Sequence, residues 1–308
     1  MIRISSWPRR LLVTVVCLAF LPVTFSQAAK EVVVTWGADL SAEDKAKVVK
    51  LMGIQPGKEP LRELVVTNTE EHNLLGETVP ASYLGTRALS SAYVEPLETG
   101  NGIQVSTHNI TWVSRRMFAQ ALVTGGVRDA NVIVAAPVPV SGTAALTGIF
   151  KAFEAAVGEK LPEEAKRTAG EELYVTRQVG ESVGHEKASR LMERIKEEVI
   201  SRDLSDKAEI IRLINRLEVE LDIQLSASDV EKIADLMVRI KGLNLELNDL
   251  EMQLTQVSRR VDEMLSTETG TKSSVRSWLQ RLLDLLAQLL ERFLSYVGGA
   301  RSGIDHRR

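Results

Sequence analysis

The run ANVIVAAP, residues 130–137, reads as a strand apolar on both faces, without the strict alternation that a water-facing sheet imposes. Such a strand needs a neighbour on each edge and cover on both faces, which restricts the chain to folds with a buried central strand. The preceding residues supply candidates. VVVTWG after Glu31 predicts a first strand and LRELVVTN, residues 61–68, a second; residues 88–97 and 103–110 predict two more. The insertion between these last two contains Asn101-Gly102, which predicts that they form a hairpin. Three helical segments alternate with the strands. Ser41 caps the first, with Glu43 and Asp44 at its positive end and Val48, Val49, Leu51 and Met52 on one side before Gly53. Residues 70–75, capped by Asn68 or Thr69 and closed by Gly76, form the second. The third covers 111–123, with Thr111 as its cap and Gly125-Gly126 as its stop. The expectation is an α/β layered domain with a mixed sheet over residues 30–158.

From Leu161 the pattern changes, and strand-like runs vanish. Leu191, Ile195 and Val199, then Ile210, Ile214, Leu217 and Leu221, then Ile233, Leu236, Met237 and Ile240 keep helical spacing. This predicts an all-α region over 159–265, broken near 202–206 and 223–228. Its last part carries Leu247, Leu250, Leu254, Val257, Val261 and Leu265 at the three-and-four spacing of a bundle or short coiled coil. LSAEDKAKVVKLM from Leu40 and LSASDVEKIADLM from Leu225 echo one another, either as two similarly capped helices or as a duplicated unit.

At the other end, Arg3, Arg9 and Arg10 precede an apolar run over 11–25 and then Ser26, Gln27, Ala28 and Ala29, the three-part order of a secretory signal. Cleavage is expected after Ala28, giving a signal peptide over 1–28; a retained anchor is the alternative. Removing that segment takes away Cys17, the single cysteine, and three arginines, leaving 35 basic against 41 acidic residues, a formal charge of −6. Disulfides are thereby excluded from the mature chain, and its mild acidity without a basic cluster argues against a nucleic-acid partner.

Candidate chemistry centres on PVPVSGTAALTGIFKAFE, residues 137–154. Ser141 follows a strand and opens a helix, where a nucleophile elbow or phosphate loop would sit. The glycines of an elbow and the lysine of a phosphate loop are absent, so Ser141 is expected to be an N-cap, with Gly142, Ala144, Ala145 and Gly148 letting the helix lie close on the sheet. An anion docking at that helix start through Ser141, Gly142 and Thr143 is the one ligand-binding expectation. No catalytic residue is assigned; the rival reading is a hydrolase or transferase using Ser141 with His108 or Asp129. His72, His108 and His185 stand at no ligand spacing, so neither a metal nor another cofactor is expected. Glu70-Glu71, Glu163-Glu164, Glu171-Glu172 and Glu197-Glu198 read as solvated faces, and Arg115 and Arg116 as exposed.

After a polar linker at 266–274, residues 275–297 predict an amphipathic helix, ahead of a tail at 298–308. Trp278, Leu282, Leu286, Leu289 and Phe293 share its broad apolar face. Arg281 and Arg292 are balanced by Asp284 and Glu291, so anionic lipid would attract it little. Self-association is therefore the preferred role for 278–297, with a membrane surface and packing on the chain's own helical half as the alternatives.

The stretch from Ala88 to Glu154, with SSAYVEPLETGNGIQVSTHNIT, ALVTGGVRDANVIVAAP and PVSGTAALTGIFKAFE, resembles the YpuA-like family of exported proteins from spore-forming Gram-positive bacteria, which carries a domain of unknown function. The likeness runs from Val32 to about Met264. It implies an extracytoplasmic location and supplies no activity, cofactor or catalytic residue. The overall expectation is a non-enzymatic cell-envelope protein that binds an envelope protein or ligand.

Overall fold

A computed structural model describes residues 31–55, 57, 61–243 and 256–257. The chain begins with β1 (Val32–Gly37), α1 (Ala42–Leu51), β2 (Leu61–Val66), α2 (Asn68–Leu75) and the short α3 (Ala81–Leu84). It continues with β3 (Ser91–Pro96), β4 (Ile103–Ile110), α4 (Arg115–Thr124), β5 (Ala130–Val140) and α5 (Thr143–Val157). Four helices follow: α6 (Glu163–Val183), α7 (His185–Ser201), α8 (Lys207–Leu221) and α9 (Ala227–Gly242). The expected helix breaks near 202–206 and 223–228 fall between α7 and α8 and between α8 and α9.

The sheet is mixed, in the order β2-β1-β3-β5-β4. β1 runs parallel to β2 and β4 parallel to β5, while β3 is antiparallel to both β1 and β5. This corrects the expected hairpin: β3 and β4 do not pair, because β5 lies between them. The loop carrying Asn101-Gly102 crosses the start of β5 instead, a step of about 10 Å, or two strand spacings. It is pinned there, since the Leu97 amide donates to Asp129 O at 2.6 Å, the Ala130 amide to Gly102 O at 3.1 Å and the Gly102 amide to Asp129 Oδ1 at 2.7 Å. The doubly apolar β5 thereby gains ladder partners on both edges and buries Val132 and Val134 completely.

α4 and α5 cover one face of the sheet, and α1 lies on the other with Val48 and Met52 against Val34, Trp36 and Ala135. α6 packs on α4, and α7 and α9 pack on α6. One apolar cluster joins Val132, Phe118 and Phe150 to Leu173, Ile195, Ile214 and Met237, so the change of pattern near residue 158 marks a new layer on a shared core. Val257 is buried in the same cluster. The rest of the expected coiled-coil stretch, the linker at 266–274 and the amphipathic helix at 275–297 lie outside the described residues.

Two expected caps move by a few residues. Thr67 caps α2 rather than Asn68 or Thr69, because Glu70 stands three residues on and closes a reciprocal box, with the Thr67 amide donating to Glu70 Oε2 at 2.8 Å. Ser114 caps α4, accepting from the Met117 amide at 3.2 Å, while the Thr111 hydroxyl donates to Val140 O. The echoed segments have matching caps: Ser41 accepts from the Asp44 amide and Ser226 from the Asp229 amide, both at 3.1 Å. One follows a strand and the other a helix, which favours similar caps over a duplicated unit.

Candidate functional site

β1, β2, β4 and β5 all end at the same edge of the sheet, so α1, α2, α4 and α5 all begin there. α1 leaves toward one face and α4 and α5 toward the other, which makes this edge a switch point of the kind where α/β sheets hold ligands. Polar side chains knit it together. Ser91 Oγ accepts from the Gly37 amide at 3.1 Å, Asp39 Oδ2 from the Ala88 amide at 2.7 Å, and Ser90 Oγ from the Ala145 amide in the first turn of α5 at 3.0 Å.

The start of α5 differs from expectation. Gly142 occupies the cap position with φ 97, a left-handed conformation open to glycine, and a Cβ there would meet Ile110 Cγ2 at 2.6 Å. Ser141 therefore is not the cap. Its hydroxyl lies 3.0 Å from that of Thr143, and the first-turn amide of Ala145 is satisfied from across the fold by Ser90. The expected close packing of this helix holds at Gly148, where a Cβ would approach Thr35 Oγ1 to 2.5 Å.

Beside Thr143 sits Glu71, which sequence reading assigned to a solvated face. It is fully buried. Its Oε2 accepts from Asn68 Nδ2 at 3.1 Å, and its Oε1 has no hydrogen-bond partner among the described residues. Burial pushes this carboxyl above the usual range, a shift that the Thr143 hydroxyl, the Asn68 amide and neighbouring His72 only partly offset. The signal for its burial was its position four residues before Leu75 on one side of α2. A carboxyl whose folded-state affinity for protons is raised favours folding at low pH and loses that contribution as pH rises through its folded value. Glu71→Gln is therefore expected to raise the unfolding temperature relative to the parent at pH 8 and to do so less at pH 5, as read by thermal denaturation at the two values.

Of the partners considered for Ser141, Asp129 lies at the far end of β5. Asp129 precedes β5 and Ser141 follows it, so the whole length of that strand separates them, and His108 pairs with Ala135 in the β4–β5 ladder. Among the described residues no group of three or more His, Cys, Asp or Glu is arranged to hold a metal ion. None of the described helices is long and apolar enough to cross a membrane. Trp278, Leu282, Leu286, Leu289 and Phe293 lie outside the described residues.

A second polar cluster lies between α4, α6 and α7, and it too corrects the sequence reading. Arg116 and Glu172, expected on exposed faces, are buried, and so are Glu193 and Lys196. Lys196 Nζ is 2.5 Å from Glu172 Oε1 and donates to Gln120 O at 3.0 Å and Thr124 Oγ1 at 2.9 Å. Thr124 in turn donates to Glu172 Oε2 at 2.6 Å, and Arg116 pairs with Glu193, which also accepts from Gln120 Nε2 at 3.1 Å. Burial lowers the proton affinity of the Lys196 amine, against the pull of Glu172 and more distant carboxylates. These groups bind the helical layer to α4.

An α/β sheet with a helical layer sharing its core and a switch-point edge is the architecture that sequence comparison then places. The chain belongs to the family described as proteins of unknown function DUF1002, whose match spans residues 36–257. A relative in Bacillus subtilis (strain 168), the uncharacterized protein YpuA, is 33% identical over 291 residues, covering 94% of this chain and 98% of its own length. No solved structure gives a significant match.

Proposed function

We propose that this chain is an extracytoplasmic envelope protein that binds a ligand rather than transforming one, and that the ligand meets the sheet edge at Ser141, Gly142 and Thr143. The observation that carries this reading is the convergence of four helix starts on one edge, where the positive ends of the helix dipoles favour electron-rich groups. The hydroxyl pairing of Ser141 with Thr143 supports binding over nucleophilic attack. Capture of the mature protein on isolated cell wall, membranes or envelope extract tests it. Retention on one fraction, lost in a Ser141→Ala/Thr143→Ala variant of unchanged stability, is the expected result. Labelling of Ser141 by a fluorophosphonate would reverse the assignment in favour of an acyl-transfer enzyme.

Export is part of the same reading, and it is supported by the order of Arg3, Arg9 and Arg10, the apolar run over 11–25 and the small residues Ser26 to Ala29. N-terminal sequencing of the extracytoplasmic protein is expected to begin at Ala29; a start at Met1 in the membrane fraction would mean a retained anchor. The apolar residues Trp278, Leu282, Leu286, Leu289 and Phe293 self-associate in this proposal. Truncation after Ser266 is then expected to lower the mass measured by light scattering. Unchanged mass with lost liposome flotation would assign the segment to membranes.

A further inference from the structure

We propose that Asn101-Gly102 is a self-modification site that the fold holds unreactive through Asp129, so that a molecule whose β3–β4 crossing loop opens deamidates there and cannot close the loop again. The site lies at the start of β4, at the end of the sheet away from Ser141, and is independent of the ligand reading there.

The chemistry begins in the sequence. Asn101-Gly102 is the one Asn-Gly pair in the chain, and a glycine, which brings no side chain, lets its amide nitrogen reach the preceding carboxamide. In that reaction the Gly102 nitrogen gives up its proton and bonds to Asn101 Cγ, while the Cγ–Nδ2 bond breaks and ammonia leaves. Water then opens the cyclic imide at either carbonyl, which leaves an aspartate or an isoaspartate at position 101. Water is the only other reactant.

The structure engages the atoms that this reaction needs. The Gly102 amide donates to Asp129 Oδ1 at 2.7 Å. A carboxylate is far too weak a base to remove an amide proton, so this bond keeps the proton on the nitrogen. Asn101 Nδ2 donates to Glu98 O at 2.9 Å, and the Asn101 amide donates to the same oxygen at 3.1 Å, which ties the carboxamide to residue 98. Gly102 O accepts from the Ala130 amide at 3.1 Å. Gln256 closes over the glycine: a Cβ on Gly102 would stand 3.0 Å from Gln256 Cβ and 2.6 Å from its Oε1. Gly102 is accordingly buried.

Neither product fits the place. Deamidation replaces the Nδ2 donor by an oxygen that, once ionised, can only accept, and that oxygen would face Glu98 O. The isoaspartate also adds a methylene to the main chain between residues 101 and 102, which shifts the Gly102 amide away from Asp129. Either change releases the loop that crosses the start of β5. An opening of the loop is thereby written into the covalent chain.

Peptide mapping by mass spectrometry, over a time course in mildly alkaline buffer, tests this on the mature protein. The folded parent is expected to deamidate at Asn101 at least about tenfold more slowly than the same chain in urea, because a reaction that needs an opening is slowed by the cost of that opening. Asp129→Ala is expected to bring the rate in the folded protein toward the urea value, and Asp129→Asn, which keeps an acceptor oxygen, to stay near the parent. Equal rates in the folded and urea-unfolded parent would overturn the protection. An Asp129→Ala rate at or below the parent's would overturn the role of Asp129, the lower rate by showing that the carboxyl promotes the reaction. Should Asp129→Ala fail to fold, the parent itself decides at urea concentrations below its transition: a rate that barely changes there supports opening of the loop alone, and one that tracks the globally unfolded fraction overturns local control. Asn101→Asp, which installs one product, is expected to unfold at a lower temperature than the parent, and an equal temperature would overturn the one-way step.

Discussion

Lys196→Ala is expected to lower stability by about 3–5 kcal/mol, the cost of leaving a buried charge without its partner. Lys196 has no exposed surface, and its ammonium is shared among Glu172, Gln120 O and Thr124. Removing it strands the Glu172 carboxylate, which then retains only the Thr124 hydroxyl of the contacts described. Urea unfolding of the variant measures the loss. A Lys196→Met/Glu172→Leu double variant is expected to be much closer to the parent, because an apolar pair of similar volume removes the charge together with the need to solvate it. A single substitution that costs under about 1 kcal/mol would mean that water reaches the cluster and screens it.

Phe118→Ala is expected to cost a similar amount, about 3–5 kcal/mol, for a different reason. Phe118 is a fully buried ring of α4, and its Cζ lies 3.4 Å from where a Cβ would stand on Gly142. Its removal leaves a cavity directly beneath the turn that starts α5. Denaturation should show the loss of stability, and ligand capture by the remaining folded protein should fall with it. A variant that keeps capture intact at folding-permissive temperature would show that the α5 turn is held by Ile110 and Ser90 without help from the ring.

These contrasts show what sequence pattern conveys and where it stops. The alternating first half, the doubly apolar β5 and the helices from Leu161 onward were legible because periodicity reports directly which side of an element is buried. Pairing was not. Asn101-Gly102 favours a tight reversal locally, yet a strand needing two neighbours outweighs that preference by entering between β3 and β4. Buried charge was equally hidden: Glu71, Glu172 and Lys196 look like solvated residues until their helical neighbours Leu75, Thr176 and Met192 are counted with them at four-residue spacing. The candidate edge was found through Ser141 and Thr143, but its buried carboxyl came from a helix more than sixty residues earlier, a separation that no local pattern bridges.

The entry of β5 between two strands made before it also sets an order of events during synthesis. While the ribosome has delivered β3 and β4 but not yet β5, each of those strands has an edge that its sequence neighbour does not fill. Sheet closure must wait for α4 and β5, roughly thirty residues beyond β4, and loop-closing steps of that kind slow folding. Until then the exposed edges of β3 and β4 are templates for pairing with other chains. A chaperone that holds the nascent protein extended past Val140 would therefore protect it during the interval in which it is most prone to aggregate.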